Sequence, residues 1–400
     1  MGPQNRVLIY SHDSFGLGHL RRCMTIANQL VAKHKGLSVL ILSGSPIIGS
    51  FNFRARVDFV RIPGMIKLRN GEYTSLNLHI SPDQTLQLRR DIIYHTARAF
   101  DPNLFIVDKE PLGLQGEVGD TLNMLKDRGT PLVLGLRDVM DDPLLLAAEW
   151  KRKRAIPALT DLYDEVWVYG LEEIYDPLTG IDVADSVLRK LIYTGYLRKR
   201  LPLARPQKRP EDLIDKPYFL VTPGGGGDGE ALVDWVLRAY EQDPGLPYPA
   251  LVVFGPFMAP KNREGFLKRI GKLDRVTAIT FDTGFESLLA KAKGVVAMGG
   301  YNTFCEILSF DRPALLVPRM VPRREQTIRA ERASKLGLVQ MLADDGAHDP
   351  MTMSRALHAL ADQPSPSSVK IPGLLDGLNV VDELATDMLL RPVEPIRTTV

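Results

Sequence analysis

The chain has 400 residues, of which 44% are hydrophobic and 24% charged, and its formal net charge at pH 7 is +2. This length and composition predict a globular protein of two domains, each with its own core. The near-neutral charge excludes a protein built mainly to coat nucleic acid, and the two cysteines, Cys23 and Cys305, have no spacing suited to zinc or a disulfide framework.

The N-terminal residues lead directly into an apolar strand without a long signal core, and no run approaches the roughly 18 apolar residues of a membrane span. Unpaired cysteines favour a reducing compartment. These features predict a cytoplasmic protein whose membrane contact, if it has one, is peripheral at the inner face. The basic clusters at 151–154 and 198–200 either attract an anionic membrane surface or form solvated faces.

Short apolar runs alternate with longer amphipathic segments, a pattern typical of parallel strands joined by crossover helices. The pattern occurs twice and is interrupted by a proline-rich, basic segment at 198–217, which predicts a linker. The predicted strands are 6–10, 37–43, 58–62, 104–107, 131–136, 165–168 and 191–193, then 218–222, 250–254, 276–280, 294–298, 314–317 and 338–341. A helix is predicted at 19–33, and a last one from about 380 to 390.

The predicted fold class is therefore α/β, with two Rossmann-like, doubly wound domains facing each other across a cleft. The expected domains are 1–197, the linker 198–217, and 218–375, with 376–400 forming a C-terminal helix that packs back on the first domain. Ligands of parallel sheets bind beyond the carboxyl ends of the strands. We therefore expect functional residues on the loops that follow the strands.

The first such loop carries the sequence SHDSFGLGHLRR, at 11–22. Gly16 and Gly18 allow a tight turn, and His19 falls at the start of the following helix. The helix dipole lowers the proton affinity of such a histidine, which suits a neutral general base. The alternative is that His19 only caps or packs. A dinucleotide-binding fingerprint is excluded because its third glycine is missing.

Two other strand ends of the first half carry charged residues. Asp108 and Glu110 can orient His19 or an acceptor hydroxyl, or lie in a solvated turn. Arg137 can contact an acceptor or form an ion pair.

The first strand of the second half is followed by TPGGGGDGE, at 222–230. Glycine costs backbone entropy and buries little, so four in a row indicate exposed amides rather than a packing device. Such amides, with the positive end of the next helix, can bind a diphosphate. A flexible loop is the alternative. The segment is not a P-loop, because no Lys-Ser or Lys-Thr pair follows.

The segment MGGYNTFCEILSFDRPALLVPRMVPRREQ, at 298–326, places glycines, Thr303 and Glu306 on one strand-to-helix turn. Amides there can bind phosphate, and the Glu306 carboxylate can accept two ribose hydroxyls. The alternative is a capping box of Thr303 with Glu306. Glu325 and Gln326 offer partners for sugar hydroxyls, and Phe285 either stacks on a base or acts as a hydrophobic staple.

Taken together, GLGHLRRCMTIA, the glycine run and GGxxTxxE with a later Glu-Gln resemble the GT-B nucleotide-sugar glycosyltransferases. The chain is similar to the lipid II-forming peptidoglycan N-acetylglucosaminyltransferase and to the nucleotide-sugar hydrolase of the pseudaminic acid pathway. It also resembles bacterial predicted glycosyltransferases of about this length. The resemblance covers nearly the whole chain. The run of four glycines with Asp228 departs from the shorter phosphate loop of these relatives.

The resemblance implies an inverting, metal-independent transfer from a nucleoside diphosphate sugar, with a UDP-sugar favoured and no other cofactor. It makes His19 either the base or a helper on the oxyanion side, with Asp108 as a second catalytic residue. It makes Glu306 the ribose ligand and Phe285 the base-stacking residue. Glu325 and Gln326 would bind the donor sugar, and Glu110 and Arg137 would lie on the acceptor side. The implied diphosphate ligands are Gly18, Gly224, Gly225, Gly226, Gly227, Gly299, Gly300, Tyr301, Asn302 and Thr303.

The acceptor is expected to be lipid-linked or a small metabolite, with no role for nucleic acid. Two alternatives remain open at the level of sequence. One is a nucleotide-sugar hydrolase or epimerase that uses the same cleft, and the other is a non-catalytic nucleotide-sugar-binding protein.

Overall fold

The structure is a computed structural model that describes residues 5–12, 18–67, 72–201, 216–225, 227–280, 284–321 and 323–390. The chain divides into two compact units. Unit 1 comprises Met1–Leu197 with Asp376–Val400, and unit 2 comprises Arg198–Leu375. Most of the predicted linker, residues 202–215, lies outside the described residues.

Unit 1 contains a seven-stranded parallel sheet and a short antiparallel hairpin. The strand order in the sheet is β3-β2-β1-β6-β7-β8-β9, and β4 pairs with β5 in the hairpin. The strands are β1 (Arg6–Ser11), β2 (Ser38–Ser43), β3 (Val57–Arg61), β4 (Met65–Lys67), β5 (Tyr73–Ser75), β6 (Leu104–Asp108), β7 (Leu132–Arg137), β8 (Glu165–Tyr169) and β9 (Leu191–Tyr193). The helices are α1 (Gly18–Lys33), α2 (Pro82–Phe100), α3 (Gly119–Asp127), α4 (Pro143–Arg152), α5 (Ala155–Asp161) and α6 (Asp185–Leu188).

Unit 2 repeats the architecture with a six-stranded sheet in the order β12-β11-β10-β13-β14-β15, in which every pairing is parallel. Its strands are β10 (Phe219–Thr222), β11 (Ala250–Val253), β12 (Val276–Ile279), β13 (Gly294–Ala297), β14 (Ala314–Leu316) and β15 (Gln340–Met341). Its helices are α7 (Glu230–Gln242), α8 (Pro260–Ile270), α9 (Phe285–Lys291), α10 (Tyr301–Ser309), α11 (Glu325–Lys335) and α12 (Pro350–Ala361).

The strands form where the sequence has short, continuous apolar runs, because both faces of each parallel sheet are covered. All residues of β6 and of β10 are buried. Each unit has its own core, built around side chains such as Phe105 and Trp150 in unit 1 and Phe219 and Trp235 in unit 2. The predicted α/β fold class with two Rossmann-like domains is confirmed.

The last helix, α13 (Gly377–Leu390), belongs to unit 1 although the chain reaches it after unit 2. It packs on α1, and Nε2 of His34, the residue that follows α1, lies 3.0 Å from Oδ1 of Asp382. A Cβ atom on Gly377 would lie 2.4 Å from the carbonyl oxygen of Gly195. Glycine therefore lets the start of α13 approach that backbone closely.

The order of the strands creates one switch point in each sheet. In unit 1, β1 lies between β2 and β6. In unit 2, β10 lies between β11 and β13. The loops diverge at such a point and leave a crevice at the carboxyl ends of the strands, where open α/β sheets bind ligands.

Among the described residues, no helix has the length and hydropathy that a membrane span requires.

Candidate functional site

At the switch point of unit 1, the structure brings together His19 and Asp108, as the sequence predicted for that loop. His19 is the second residue of α1, and Asp108 is the last residue of β6. Nδ1 of His19 lies 2.5 Å from Oδ2 of Asp108. The carboxylate is buried and the imidazole is half-buried, with 18% of its side chain exposed. The pair is therefore held by the protein yet accessible from solvent.

Arg22 completes this group from the next turn of α1. Its Nε donates to Oδ1 of Asp108 and one terminal nitrogen donates to Oδ2, each at 2.8 Å. The guanidinium is itself buried, at 1% exposure. Its bidentate contact fixes the plane of the carboxylate, as expected for an arginine paired with an aspartate. Sequence reasoning missed Arg22 as a member of the site, although its position three residues after His19 places both on one helical face.

The ionisation of these groups suits proton abstraction. Burial opposes the charge of Asp108, but Arg22 and His19 outweigh it and hold the pKa of this carboxyl well below its usual range. Burial lowers the pKa of His19 to about 4, against the opposing effect of Asp108. At neutral pH the Nδ1–H group of the neutral imidazole donates a hydrogen bond to the carboxylate, so the lone pair of the ring lies on Nε2. This ring nitrogen is therefore able to accept a proton.

A second histidine, which sequence reasoning did not select, adjoins this pair. His12 directly follows β1, and its ring meets that of His19 edge to face, with 5.8 Å between the ring centroids. Burial lowers the pKa of His12 well below its ordinary value, so this ring is neutral as well. Its only sequence signal was its position after the first strand.

The two residues predicted on the acceptor side also end strands of this sheet or follow them. Glu110 is buried, and Nζ of Lys153 donates to its Oε2 at 2.8 Å. Burial opposes ionisation of Glu110, but Lys109 and Lys153 keep its pKa well below the usual range. Glu110 is therefore a buried anion rather than a solvated turn residue. Arg137 is the last residue of β7, two strands away from β1.

At the switch point of unit 2, the glycine run follows β10. Gly225 and Gly227 are exposed, and Gly224 adopts a φ of +77° that favours glycine. The predicted ligand Gly226 lies outside the described residues. The Phe257 amide donates to the Gly225 carbonyl at 2.9 Å, and this hydrogen bond fixes the loop at Gly225.

Two glycines near the run of four, but outside it, serve packing. A Cβ atom on Gly229 would lie 1.8 Å from Cβ of Pro223, so this position has room only for glycine. Gly255, after β11, lies as close to the loop, since its added Cβ would be 2.3 Å from the Gly224 carbonyl oxygen. Close contact between loop backbones therefore accounts for some of these glycines.

The turn after β13 begins α10 and carries the second set of predicted phosphate ligands. Gly300 is the N-cap, and Tyr301, Asn302 and Thr303 form the first turn of the helix. Thr303 therefore lies inside α10 and is not its cap, so the capping-box interpretation is wrong. A Cβ atom on Gly300 would meet nothing within 4 Å, which leaves space in front of the first amides of α10. Amides at a helix start can bind phosphate there.

This turn is braced from α11 by Arg329, which sequence reasoning missed. Its terminal nitrogen donates to the Gly299 carbonyl at 3.0 Å, and its guanidinium lies 5.8 Å from the centroid of the Tyr301 ring. The arginine is fully buried. Because Gly299 has a φ of +81°, this buried contact holds the turn in a conformation that glycine alone adopts readily.

The remaining donor-side candidates lie on three helices of unit 2. Glu306 is fully buried on α10. Phe285, half-buried, begins α9 after the edge strand β12. Glu325 and Gln326 are buried in the first turn of α11 and contact Arg319, whose backbone amide donates to Oε1 of Gln326 at 3.3 Å. Sequence reasoning did not select Arg319.

Two curated proteins resemble the chain in sequence. No protein-family model matches the chain. A protein of Methanosarcina acetivorans named as an uncharacterized glycosyltransferase is 26% identical over 320 residues, which cover 76% of this chain and 77% of the relative. A protein of Methanosarcina mazei with the same name is 23% identical over 321 residues, with the same coverage. Both relatives are archaeal, and the expected likeness to bacterial proteins stays a prediction.

Solved structures resemble the chain along nearly its whole length. CalG4, the calicheamicin glycosyltransferase, superimposes with a TM-score of 0.62 at 16% identity, covering 98% of this chain and all of CalG4. LpCGTa in complex with UDP gives a TM-score of 0.63 at 12% identity, with coverages of 98% and 100%. MurG of Acinetobacter baumannii gives 0.57 at 13% identity, with coverages of 96% and 99%.

The chain has the GT-B fold. Its curated relatives are named glycosyltransferases, and the structural neighbours are glycosyltransferases with two Rossmann-like domains. The predicted likeness to this family, including the lipid II-forming enzyme, is therefore confirmed, and so is the prediction of an enzyme of the glycosyltransferase class.

Proposed function

We propose that this GT-B protein transfers a sugar from a UDP-sugar to an acceptor hydroxyl, inverting the anomeric carbon without a metal ion. The observation that carries the proposal is the contact between His19 and Asp108 at the switch point of unit 1. A neutral imidazole oriented by a buried carboxylate is the arrangement that a general base for a hydroxyl requires.

In the proposed reaction, Nε2 of His19 takes the proton of the acceptor hydroxyl as its oxygen attacks the anomeric carbon. The bond from that carbon to the β-phosphate oxygen breaks, and its electron pair leaves with UDP. Asp108 stabilises the imidazolium that forms and holds the ring in the correct tautomer. Attack on the face opposite the leaving group inverts the anomeric carbon.

The donor is assigned to unit 2. The open space before the first amides of α10 and the exposed Gly225 and Gly227 support binding of the diphosphate. Backbone amides and the helix dipole would stabilise the charge of departing UDP, which supports a mechanism without metal. Glu306 is assigned to the ribose hydroxyls, Phe285 to the base, and Glu325 with Gln326 to the sugar.

The preference for a uridine donor is supported by two structural neighbours solved in complex with UDP, LpCGTa and a UGT transferase of Siraitia grosvenorii. The acceptor is proposed to be a lipid-linked molecule or a small metabolite with a free hydroxyl. The inverting outcome would distinguish this enzyme from transferases that retain the configuration of the donor.

A peripheral membrane contact is part of the proposal. Leu144 and Leu145 on α4 are 83% and 53% exposed, and Lys151 and Arg152 are exposed at the end of the same helix. Leucines combined with basic residues suit adsorption to an anionic surface. Co-sedimentation with anionic vesicles should fall when both leucines are replaced by serine, and equal binding of the variant would contradict the contact.

The transferase is tested by incubating the protein with UDP-glucose, UDP-N-acetylglucosamine and related donors, with and without a panel of lipid-linked and soluble acceptors. We expect acceptor-dependent release of UDP that chelators leave unchanged, and a product whose anomeric proton shows the inverted configuration by NMR. Rapid release of free sugar without an acceptor would instead establish a hydrolase. Binding of UDP-sugars with no turnover under any condition would favour a non-catalytic binding protein.

A further inference from the structure

The guanidinium of Arg319 joins two carboxylates of unit 2 that are far apart in the chain. One terminal nitrogen contacts Oδ2 of Asp228, in the glycine-rich loop. The other donates to Oε1 of Glu325, in the first turn of α11, at 2.7 Å. Arg319 itself lies in the loop after β14.

The topology places this cation at the predicted phosphate site. The loop that holds Asp228 follows β10, and β10 and β14 are the neighbours of β13 on its two sides. The contact between Arg319 and Asp228 therefore joins the loops on either side of the turn that begins α10. Among the described residues, Nε of Arg319 has no hydrogen-bond partner, so the guanidinium has a donor left over in this position.

The two carboxylates hold Arg319 in different ways. The side chain of Glu325 is 6% exposed, whereas that of Asp228 is 40% exposed. A buried carboxylate loses much of its hydration and depends on its cation, whereas an exposed ion pair contributes little stability. Glu325 therefore anchors the guanidinium, and Asp228 is the partner that another anion can replace.

The charge of Asp228 is otherwise unfavourable at this place. A carboxylate in a loop whose amides receive a diphosphate would repel that ligand. Burial works against the charge of Arg319, but Glu325 and Asp228 raise the pKa of its guanidinium above the usual value, so the cation persists at all relevant pH values. Arg319 with its two carboxylates therefore forms a group of three charges whose net charge is negative.

We propose that Arg319 is a ligand of the donor diphosphate and that Asp228 occupies this guanidinium until the diphosphate displaces it. The inference rests on the proposed function, because it assigns a residue to the same donor site. Asp228 is then an internal competitor that lowers the affinity for the nucleoside diphosphate. Such competition also favours release of UDP after transfer, since the carboxylate regains its partner when UDP leaves.

The test measures binding of UDP, UMP and uridine by isothermal titration calorimetry, at constant ionic strength. Loss of Arg319 alone would leave Glu325 as a buried carboxylate without its cation. The variant is therefore Arg319→Gln combined with Glu325→Gln, which preserves the local charge balance. UDP lacks the donor sugar, so the role proposed for Glu325 does not affect the result. We expect UDP affinity to fall roughly 10- to 100-fold and uridine affinity to stay within about twofold.

The Asp228→Asn variant tests the competition separately, and its exposed position makes misfolding no concern. We expect UDP affinity to rise about threefold or more, because the charged competitor is removed while the amide remains. Uridine affinity should not change. Arg238→Gln, which removes an arginine that pairs with Asp234 within α7, is the matched control and should bind all three ligands as the parent protein does.

The outcomes separate this inference from the proposed function. If the parent protein binds UDP but the ratio of UDP to uridine affinity is the same in the double variant, Arg319 is not a diphosphate ligand and the transferase proposal stands. Weaker UDP binding by Asp228→Asn would overturn the competition. If the parent protein binds none of the three ligands, both proposals fail. Should the double variant not fold, the result with Asp228→Asn decides.

Discussion

Nδ1 of His19 lies 2.5 Å from Oδ2 of Asp108, although the two residues are 89 positions apart in the sequence. The contact exists because β1 and β6 are adjacent parallel strands, with Tyr10 in register with Val107, so the loops after both strands meet at one edge. Arg22 then fixes the carboxylate from the same helix as His19. The geometry of this pair thus follows from the strand order at the switch point.

His19→Ala should abolish transfer while leaving donor binding intact. A general base contributes roughly 10²- to 10⁴-fold to the rate, and its removal leaves the binding groups in place. We therefore expect kcat to fall at least about 10²-fold and the Kd for UDP to change by less than about twofold. The measurement combines steady-state kinetics with titration calorimetry.

The matched control for this variant is His34→Ala, because His34 is a histidine of the same helical region that pairs with Asp382 on α13. It should retain the kcat of the parent protein. Unchanged turnover in His19→Ala would remove His19 from the mechanism.

Asp108→Asn should slow turnover because it changes which ring nitrogen of His19 carries the proton. An asparagine can donate to Nδ1, which would move the imidazole proton to Nε2 and block the base. We expect kcat to fall roughly 10²- to 10⁴-fold, with little change in UDP affinity. Because Arg22 also loses its counterion, the assay should be run well below the melting temperature of the variant. Asp101→Asn removes an exposed aspartate that pairs with Arg6 and should be nearly silent; a similar loss in both variants would contradict the role of Asp108.

The pH dependence of transfer should show an acidic limb near pH 4. Burial lowers the pKa of His19 from its ordinary 6.5 to about 4, so the base is neutral at any pH above that value and is protonated below it. The kcat/KM should therefore be flat through pH 6.5 and fall as the pH drops through 4. A limb centred at 6.5 would show that solvent reaches His19 freely in the working enzyme.

The lowered pKa of His19 also affects the stability of the folded protein. The unfolded chain binds a proton at His19 between pH 6.5 and 4 and the folded chain does not, so the folded state should lose stability as the pH falls through this window. Chemical denaturation at pH 7 and pH 4.5 should show a smaller loss in His19→Ala than in the parent protein. His12, whose pKa is lowered for the same reason, adds to the loss in both.

The sequence predicted the strands of both parallel sheets because each is a short apolar run bounded by polar residues, a pattern that burial on two faces requires. The hairpin of β4 and β5 was not predicted. Each of its strands has only three residues, which is too short for an alternating pattern to appear. The capping-box alternative made Thr303 the cap of α10, whereas Gly300 is the cap, since glycine caps a helix without any side-chain signal.

The candidate site was predictable only in part. His19, the glycine turns and Glu306 stand within continuous motifs, so local sequence reveals them. Arg319 and Asp228 are 91 positions apart, and each is an ordinary charged residue in a loop. Their contact depends on the order of β10, β13 and β14, and charge patterns along a single sequence do not encode that order.

Glu306→Gln should weaken the recognition of ribose. A carboxylate that accepts two hydroxyl hydrogen bonds contributes about 1 to 3 kcal/mol to UDP binding, and the amide can accept fewer. The parent protein should bind UDP more tightly than 2′-deoxy-UDP, and the variant should show a smaller difference. Glu331→Gln, on the exposed side of α11, is the control. Equal discrimination in parent and variant would remove Glu306 from the ribose site.

At the turn before α10, the variants Gly300→Ala and Gly299→Ala distinguish an effect on ligand binding from an effect on folding. Gly300 has a φ of −58°, and a Cβ atom there would meet nothing within 4 Å, so the alanine should cost no more than about 1 kcal/mol, because alanine is a poorer N-cap than glycine. Gly299 has a φ of +81°, and its Cβ atom would lie 3.1 Å from Cδ1 of Leu316, so that alanine should cost about 1 to 2 kcal/mol.

UDP binding should be weakened more by Gly300→Ala than by Gly299→Ala, the opposite of their order in stability. If a diphosphate contacts the first amides of α10, the methyl group of Gly300→Ala occupies the space that the ligand needs, and UDP affinity should fall about 10-fold or more. Urea denaturation and UDP titration of both variants make the comparison. A folded Gly300→Ala protein that binds UDP as tightly as the parent would place the diphosphate elsewhere.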